Sequence, residues 1–253
     1  MNKLIRRLQR EAERIASKHP VPEFYTRFKA PIAHARKLFF NNSEILNLRK
    51  IVEPSYHEQL GHGFYHSMRV SIDSAALVSI EMNSARDEAD VIERFMLLSL
   101  RAGILHDICR NKESHAECGA DKAEKILCRF DHLVSEEIAC IVNAIRNHEA
   151  FAAHGESSNR RVQLVSDCLY DADKFRWGPD TFTHTLWCMA DHQGLSPRDL
   201  IGRFPWGMSG TYRILDTFRT PTGRQYGPQI IETGVEIGKE IYRYLLHRFR
   251  EEI

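Results

Sequence analysis

The stretch EADVIERFMLLSLRAGILHD, residues 88–107, decides the fold class of this sequence. Its apolar side chains recur at the three- and four-residue spacing of a helix with one buried face. The positions that carry the pattern are Val91, Phe95, Leu98, Ala102 and Leu105. The stretch therefore predicts a core helix that ends at the dipeptide His106-Asp107.

Helical periodicity also dominates on both sides of this segment, and no stretch alternates as a strand does. It predicts further helices over 2–18, 43–52, 63–82 and 160–175, two that begin at Ser114 and Ser135, and a terminal one over 229–250. Prolines and glycines concentrate in 193–227, which predicts a long loop. We expect that loop mostly to support the fold. The prediction is an all-α, compact multi-helical fold in one domain over 1–253.

Composition narrows the function classes. The chain has 253 residues and a formal net charge of +1, which gives no electrostatic reason to expect nucleic acid or a membrane as partner. Apolar stretches fall short of the roughly 18 residues of a membrane span. The charged N-terminus lacks the apolar core of a secretory signal, so we expect a cytoplasmic protein. The six cysteines form no CxxC pair, and we expect reduced, mostly buried thiols.

Histidines and aspartates stand at helix ends and on faces that are otherwise apolar. His66 shares a stripe with Val70, Leu77 and Ile80, and a buried imidazole there needs a partner. The other candidates are His62 one turn earlier, His106 and Asp107, His115, His148, and the pair Asp171 and Asp173. One such histidine is more often a hydrogen-bonded core residue than a ligand. Together these groups suit a divalent metal that activates water.

Five ordered blocks resemble the HD-domain superfamily of metal-dependent phosphohydrolases. They are HGFYHSMRV (62–70), GILHDICR (103–110), HAECGA (115–120), AIRNHE (144–149) and DADKF (171–175). The resemblance covers about 55–180, and the flanking helices in 1–50 and 200–253 carry no motif of the family. Cys109 departs from the pattern, because the family commonly has glycine there.

The resemblance implies a metal held by His66, His106, Asp107 and Asp173, with Asp107 and His106 in the catalytic centre. Either Asp171 or Asp173 could bind it, and the family pattern favours Asp173. If a second ion binds, its implied ligands are His115 and His148, with Asp107 as the bridge. His62 is a further ligand or an outer hydrogen-bond donor. One or two ions of Mn, Fe, Co, Ni, Zn or Mg fit this set.

Cationic side chains beside the motifs together favour a phosphorylated substrate. They are Arg69, Arg110, Lys112 and Lys174, with Arg176 next to the last block. We therefore expect a phosphohydrolase that acts on a small, nucleotide-like phosphate ester. One alternative keeps the fold but uses the ligand set in a di-iron oxygenase. The other is a non-catalytic module that binds a ligand or regulates a partner.

Overall fold

A computed structural model describes residues 2–56, 61–152 and 155–250 of the chain. This part of the chain forms twelve α-helices and contains no strand, which confirms the all-α prediction. The helices are α1 Lys3–Ala16, α2 Glu23–Arg27, α3 Lys29–Asn41, α4 Ser43–Val52, α5 Phe64–Ser84, α6 Ala89–Leu105, α7 His115–Leu127, α8 Ser135–Arg146, α9 Arg160–Phe175, α10 Leu186–His192, α11 Pro197–Tyr212 and α12 Pro221–Arg248. A 3₁₀ turn, Glu53–Ser55, follows α4, and a π-helical turn, Thr181–Thr185, precedes α10.

The pair α5 and α6 forms the centre of the main core, and α9 packs against both. Gly103 permits the close crossing of α5 and α6, because a Cβ there would lie 2.5 Å from the Cα of Ser71. Further along, the Oγ atoms of Ser74 and Ser99 are 2.6 Å apart and share a hydrogen bond. This crossing brings the first turn of α5 to the C-terminal end of α6.

A second apolar cluster lies beside the main core. It contains one face of α1, the turn before α10, α10 itself, the first half of α11 and the last part of α12. The helix α12 contributes to both clusters, with Ile230 and Val235 in the main core and Ile241 and Leu245 in the second. The single-domain organisation stays a prediction. Among the described residues, no helix is long and apolar enough to cross a membrane.

The prediction of a long loop over 193–227 is wrong, because α11 and the start of α12 occupy most of it. Ser196 caps α11 by accepting a hydrogen bond from the backbone N–H of Asp199. Leu200 and Phe204 then bury one face of the helix in the second cluster. This burial outweighs the disfavoured Pro205 inside the helix. The helix predicted to begin at Ser114 begins at His115, and the side chain of Ser114 makes no cap hydrogen bond.

Candidate metal centre

Four side chains from three regions of the fold meet at one buried point. His66 lies in the first turn of α5, His106 and Asp107 follow the end of α6, and Asp173 lies in the last turn of α9. The Nε2 atom of His66 is 3.2 Å from Nε2 of His106 and 3.2 Å from Oδ1 of Asp173. Oδ2 of Asp107 is 3.5 Å from Nε2 of His106 and 3.7 Å from Nε2 of His66.

These spacings fit a shared ion. Two ligand atoms about 2.1 Å from one metal lie roughly 3.0–3.4 Å apart in tetrahedral or octahedral geometry. The two 3.2 Å distances at His66 fall inside that range, and the contacts to Asp107 are slightly longer. All four side chains belong to buried residues. The group can therefore hold a divalent metal.

His62 extends this first group. Its Nδ1 atom lies 3.0 Å from Oδ2 of Asp107, and its ring packs beside that of His66. His62, His66 and Asp107 also meet the spacing of a metal-binding group. The side chain is partly exposed, at 22%, on the cavity side. Its position suits either a ligand or an outer donor to Asp107, so both readings of His62 remain predictions.

The other oxygen of Asp107 faces a second group of imidazoles. Oδ1 lies 3.6 Å from Nε2 of His148 and 3.9 Å from Nε2 of His115, which are too long for hydrogen bonds. This oxygen is buried and has no hydrogen-bond partner. A buried anionic oxygen without a partner is costly, and a cation between it and the imidazoles would remove the cost. Arg110 currently donates to Nε2 of His115 over 2.9 Å, so His115 can bind a metal only if Arg110 moves.

Two of the histidines have their tautomers set by their own helices. Nδ1 of His106 is 2.8 Å from the carbonyl of Gly103, and Nδ1 of His148 is 2.6 Å from the carbonyl of Ile145. A carbonyl only accepts, so each Nδ1 carries the proton and donates it. Each Nε2 is then left with a lone pair that points at the site. This arrangement is typical of histidine ligands.

The charge states also favour a cation. Burial lowers the pKa of His106 to about 3, and burial likewise lowers the pKa values of His62 and His115. Burial alone would raise the pKa of Asp107, but the neighbouring imidazoles of His106, His148 and His62 hold it well below its usual range. Neutral imidazoles around ionised carboxylates are the states that metal binding requires.

Asp171 and Asp173 have different surroundings. Asp171 accepts hydrogen bonds from the backbone N–H groups of Arg219 and Thr220 and from the hydroxyl of Thr220. Asp173 turns Oδ1 to His66 and Oδ2 to the ammonium group of Lys174, 2.5 Å away. Burial would raise the pKa of Asp173, but Lys174 and His66 hold it well below its usual range. The geometry therefore places Asp173, and not Asp171, at the metal centre.

The centre forms part of the lining of a cavity of about 660 Å³. Among the predicted substrate cations, Arg110, Lys112 and Lys174 line it. Arg69 does not; its guanidinium group donates to Asp180 over 2.7 Å, away from this cavity. The ammonium group of Lys174 is already engaged by Asp173 and by the carbonyl of His148.

The cavity wall includes residues that the sequence did not indicate. They are Phe151, Trp177, Thr181, Thr185, Gly207 and Thr211. Phe151 is half exposed and has a positive φ of 63°, which is uncommon for an aromatic residue. The guanidinium carbon of Arg213 lies 4.5 Å from the centre of its ring. The spacing of residues in the sequence predicts neither the positive φ of Phe151 nor the position of Phe151 and Trp177 in the cavity wall.

Comparisons with protein-family models, with curated proteins and with solved structures find no match for this chain.

Proposed function

We propose that this chain is a divalent-metal-dependent phosphohydrolase of the HD-domain type. The observation that carries the proposal is the position of Asp107, whose two oxygens face two separate groups of imidazoles at one cavity. Paired ions bridged by a carboxylate suit displacement at phosphorus, because they stabilise both the attacking and the leaving oxygen.

In this proposal the first ion is held by His66, His106, Asp107 and Asp173. His148 and His115, together with Asp107, would hold a second ion. Nitrogen and oxygen ligands of this kind accept Mn, Fe, Co, Ni or Zn, and Mg binds less readily because it prefers oxygen alone. When bound, the metal polarises a phosphate oxygen and lowers the pKa of water to near neutrality.

The protein's own groups orient the reactants. The carboxylate of Asp107 would orient the attacking water, because its lowered pKa keeps it ionised. His62 contacts that carboxylate over 3.0 Å and can hold its orientation. Lys174 fixes the carboxylate of Asp173 from the opposite side.

The cavity wall supplies groups for a phosphorylated substrate. The ammonium group of Lys112 lines the cavity and makes no ion pair with any described residue, so it is available to a phosphate. Arg110 is 38% exposed and reaches the site from the same turn. The rings of Phe151 and Trp177 offer flat apolar surfaces on the same wall. A small, nucleotide-like phosphate ester would use both kinds of contact.

The same arrangement of Asp107 also supports a second candidate, a di-iron oxygenase. Imidazole and carboxylate ligands in two adjacent groups suit paired iron ions as well as hydrolytic metals. The two functions differ in what they consume. An oxygenase needs molecular oxygen, whereas hydrolysis proceeds under nitrogen.

The test begins with metal analysis of the purified protein. The metal-free protein is then reloaded with manganese, cobalt or magnesium and screened for phosphate release under nitrogen, with nucleoside phosphates and simple phosphomonoesters as substrates. We expect metal-dependent release from wild type and its loss in His66→Ala. The matched control is His192→Ala, an exposed histidine outside the cavity, which should keep wild-type activity.

Three outcomes would contradict the proposal. Oxygen-dependent turnover with bound iron would favour the oxygenase. Tight metal binding without turnover of any phosphate ester would favour the non-catalytic module. Equal activity in His66→Ala and His192→Ala would show that the proposed centre is not the active one.

A further inference from the structure

Two of the six cysteines lie in contact at the edge of the metal centre. Cys109 follows Asp107 by two residues, and Cys118 follows His115 by three residues in the first turns of α7. Their Sγ atoms are 2.7 Å apart. This is well inside the roughly 3.5 Å at which non-bonded heavy atoms normally rest, and a disulfide bond needs about 2.05 Å. A bond between the two sulfurs therefore requires only a small movement.

We propose that Cys109 and Cys118 are a reversible redox pair that closes a disulfide across the turn between α6 and α7. The inference does not depend on the proposed hydrolysis, because it concerns the thiols alone. Both residues are free cysteines in the structure, with Cys109 buried and Cys118 partly exposed. The difference in exposure gives the two sulfurs different parts in the reaction.

A low-molecular-weight disulfide, such as glutathione disulfide, supplies the oxidising equivalents. The thiolate of Cys118, the more accessible sulfur, attacks one sulfur of the oxidant and releases one small thiolate. The resulting mixed disulfide is attacked by the thiolate of Cys109 at the sulfur of Cys118, which releases the second small thiolate. Overall, the two protein thiols lose two protons and two electrons. The oxidant takes up both and is released as two small thiols. Excess dithiol reverses both steps.

The bond would close a short loop around part of the site. That loop contains Arg110, Lys112 and His115, two cavity cations and one candidate ligand. Because the sulfurs already touch, the bond holds this turn near its present shape instead of rearranging it. A cross-link of this size is expected to raise the midpoint of thermal unfolding by about 5 °C.

Reduced full-length protein is exposed to glutathione disulfide, free thiols are then blocked with N-ethylmaleimide, and the protein is digested with trypsin without reduction. Cleavage after Arg101, Arg110, Lys112 and Lys122 gives peptides 102–110 and 113–122, each with one cysteine. Before blocking, we expect an intact mass about 2 Da lower than that of the reduced protein. After digestion, we expect these two peptides joined, with full reversal by dithiothreitol. Cys118→Ser should abolish the joined pair, whereas the matched control Cys128→Ser, an exposed cysteine elsewhere, should retain it.

The proposal is overturned if folded wild type carries only glutathione adducts, or if Cys109 joins other cysteines instead. A lower unfolding midpoint in the oxidised protein would overturn it too, since the native turn would then resist the bond. Circular dichroism of Cys118→Ser checks that loss of the pair is not loss of the fold.

Discussion

Lys174 offers a direct test of the candidate metal centre, because the sequence assigned it to the substrate and the structure places it against Asp173, a candidate ligand. It is 3% exposed, and its ammonium group donates to Oδ2 of Asp173 over 2.5 Å and to the carbonyl of His148 over 2.9 Å. We expect Lys174→Met to leave the fold intact, since methionine keeps most of the length and its sulfur can contact the Tyr170 ring that the ammonium group now faces at 4.8 Å.

The size of the effect follows from those two contacts. A hydrogen bond to a charged group contributes about 1.5–3 kcal/mol, and burial removes the screening that weakens surface pairs. Loss of an outer partner of a metal ligand typically lowers metal affinity about 10–100-fold, which corresponds to about 1.4–2.7 kcal/mol. Both estimates predict that Lys174→Met weakens metal binding about 10–100-fold.

The variant should also shift the pH dependence of metal binding. Lys174 is the leading charge that holds the pKa of Asp173 below its usual range. Without it, that pKa rises, and protons compete with the metal at a higher pH. As pH falls, Lys174→Met should therefore lose its metal before wild type does.

The matched control is Lys112→Met, in the same cavity but without contact to a ligand. Calorimetric titration of the metal-free proteins with Mn²⁺ or Co²⁺ gives affinity, and phosphate release gives KM and kcat. Lys112→Met should raise KM and keep metal affinity. The reasoning is refuted if Lys174→Met keeps wild-type metal affinity and raises KM as Lys112→Met does.

Three further predictions concern the aspartates and His106. Asp107→Asn should lose activity and all bound metal with helicity retained, whereas His148→Ala should lose mainly one ion; full metal content in the first variant would contradict this. Asp171→Ala should lower the unfolding free energy by about 3 kcal/mol, measured in urea, while metal affinity is unchanged, because three donors lose their acceptor. In the metal-free protein, His106 has a pKa of about 3, below its ordinary value of about 6.5. Between these two pH values the unfolded state therefore binds a proton that the folded state does not. Stability should therefore fall from about pH 6.5 downward by up to ~1.4 kcal/mol per unit, and His106→Gln should flatten that slope.

The helices of the metal centre could be predicted because their apolar periodicity is regular. The helices predicted over 63–82 and 88–106 span Phe64–Ser84 and Ala89–Leu105 in the structure. The helix predicted over 160–175 became Arg160–Phe175. These helices place the candidate ligands His66, His106 and Asp173 at or beside their ends. The choice of these residues as candidate ligands came from the family resemblance and not from periodicity.

The region after residue 176 was predicted less well, because local signals oppose the fold there. Pro205 and Pro228 lie inside α11 and α12, and each removes a backbone donor. Both helices nevertheless form, because residues such as Phe204 and Ile230 are buried in the cores. Their partners come from distant segments, including α1 and α9. Gly207 and Thr211 reach the cavity for the same reason, so no local pattern could place them there.

The choice between Asp171 and Asp173 shows the limit of local sequence patterns most directly. Residues two apart on a helix point about 200° apart, so only one of the two can face the metal. The C-terminal half of α9 is buried on every side, so burial could not separate them. Arg219 and Thr220, far along the chain, supply Asp171 with uncharged donors, and burial raises its pKa to about 6 despite them. Asp173 instead meets a cation and imidazoles, which outweigh the same burial penalty. Two carboxylates on one turn thus acquire opposite pKa shifts from distant neighbours, and only Asp173 turns an oxygen to the imidazole of His66 in the candidate metal centre.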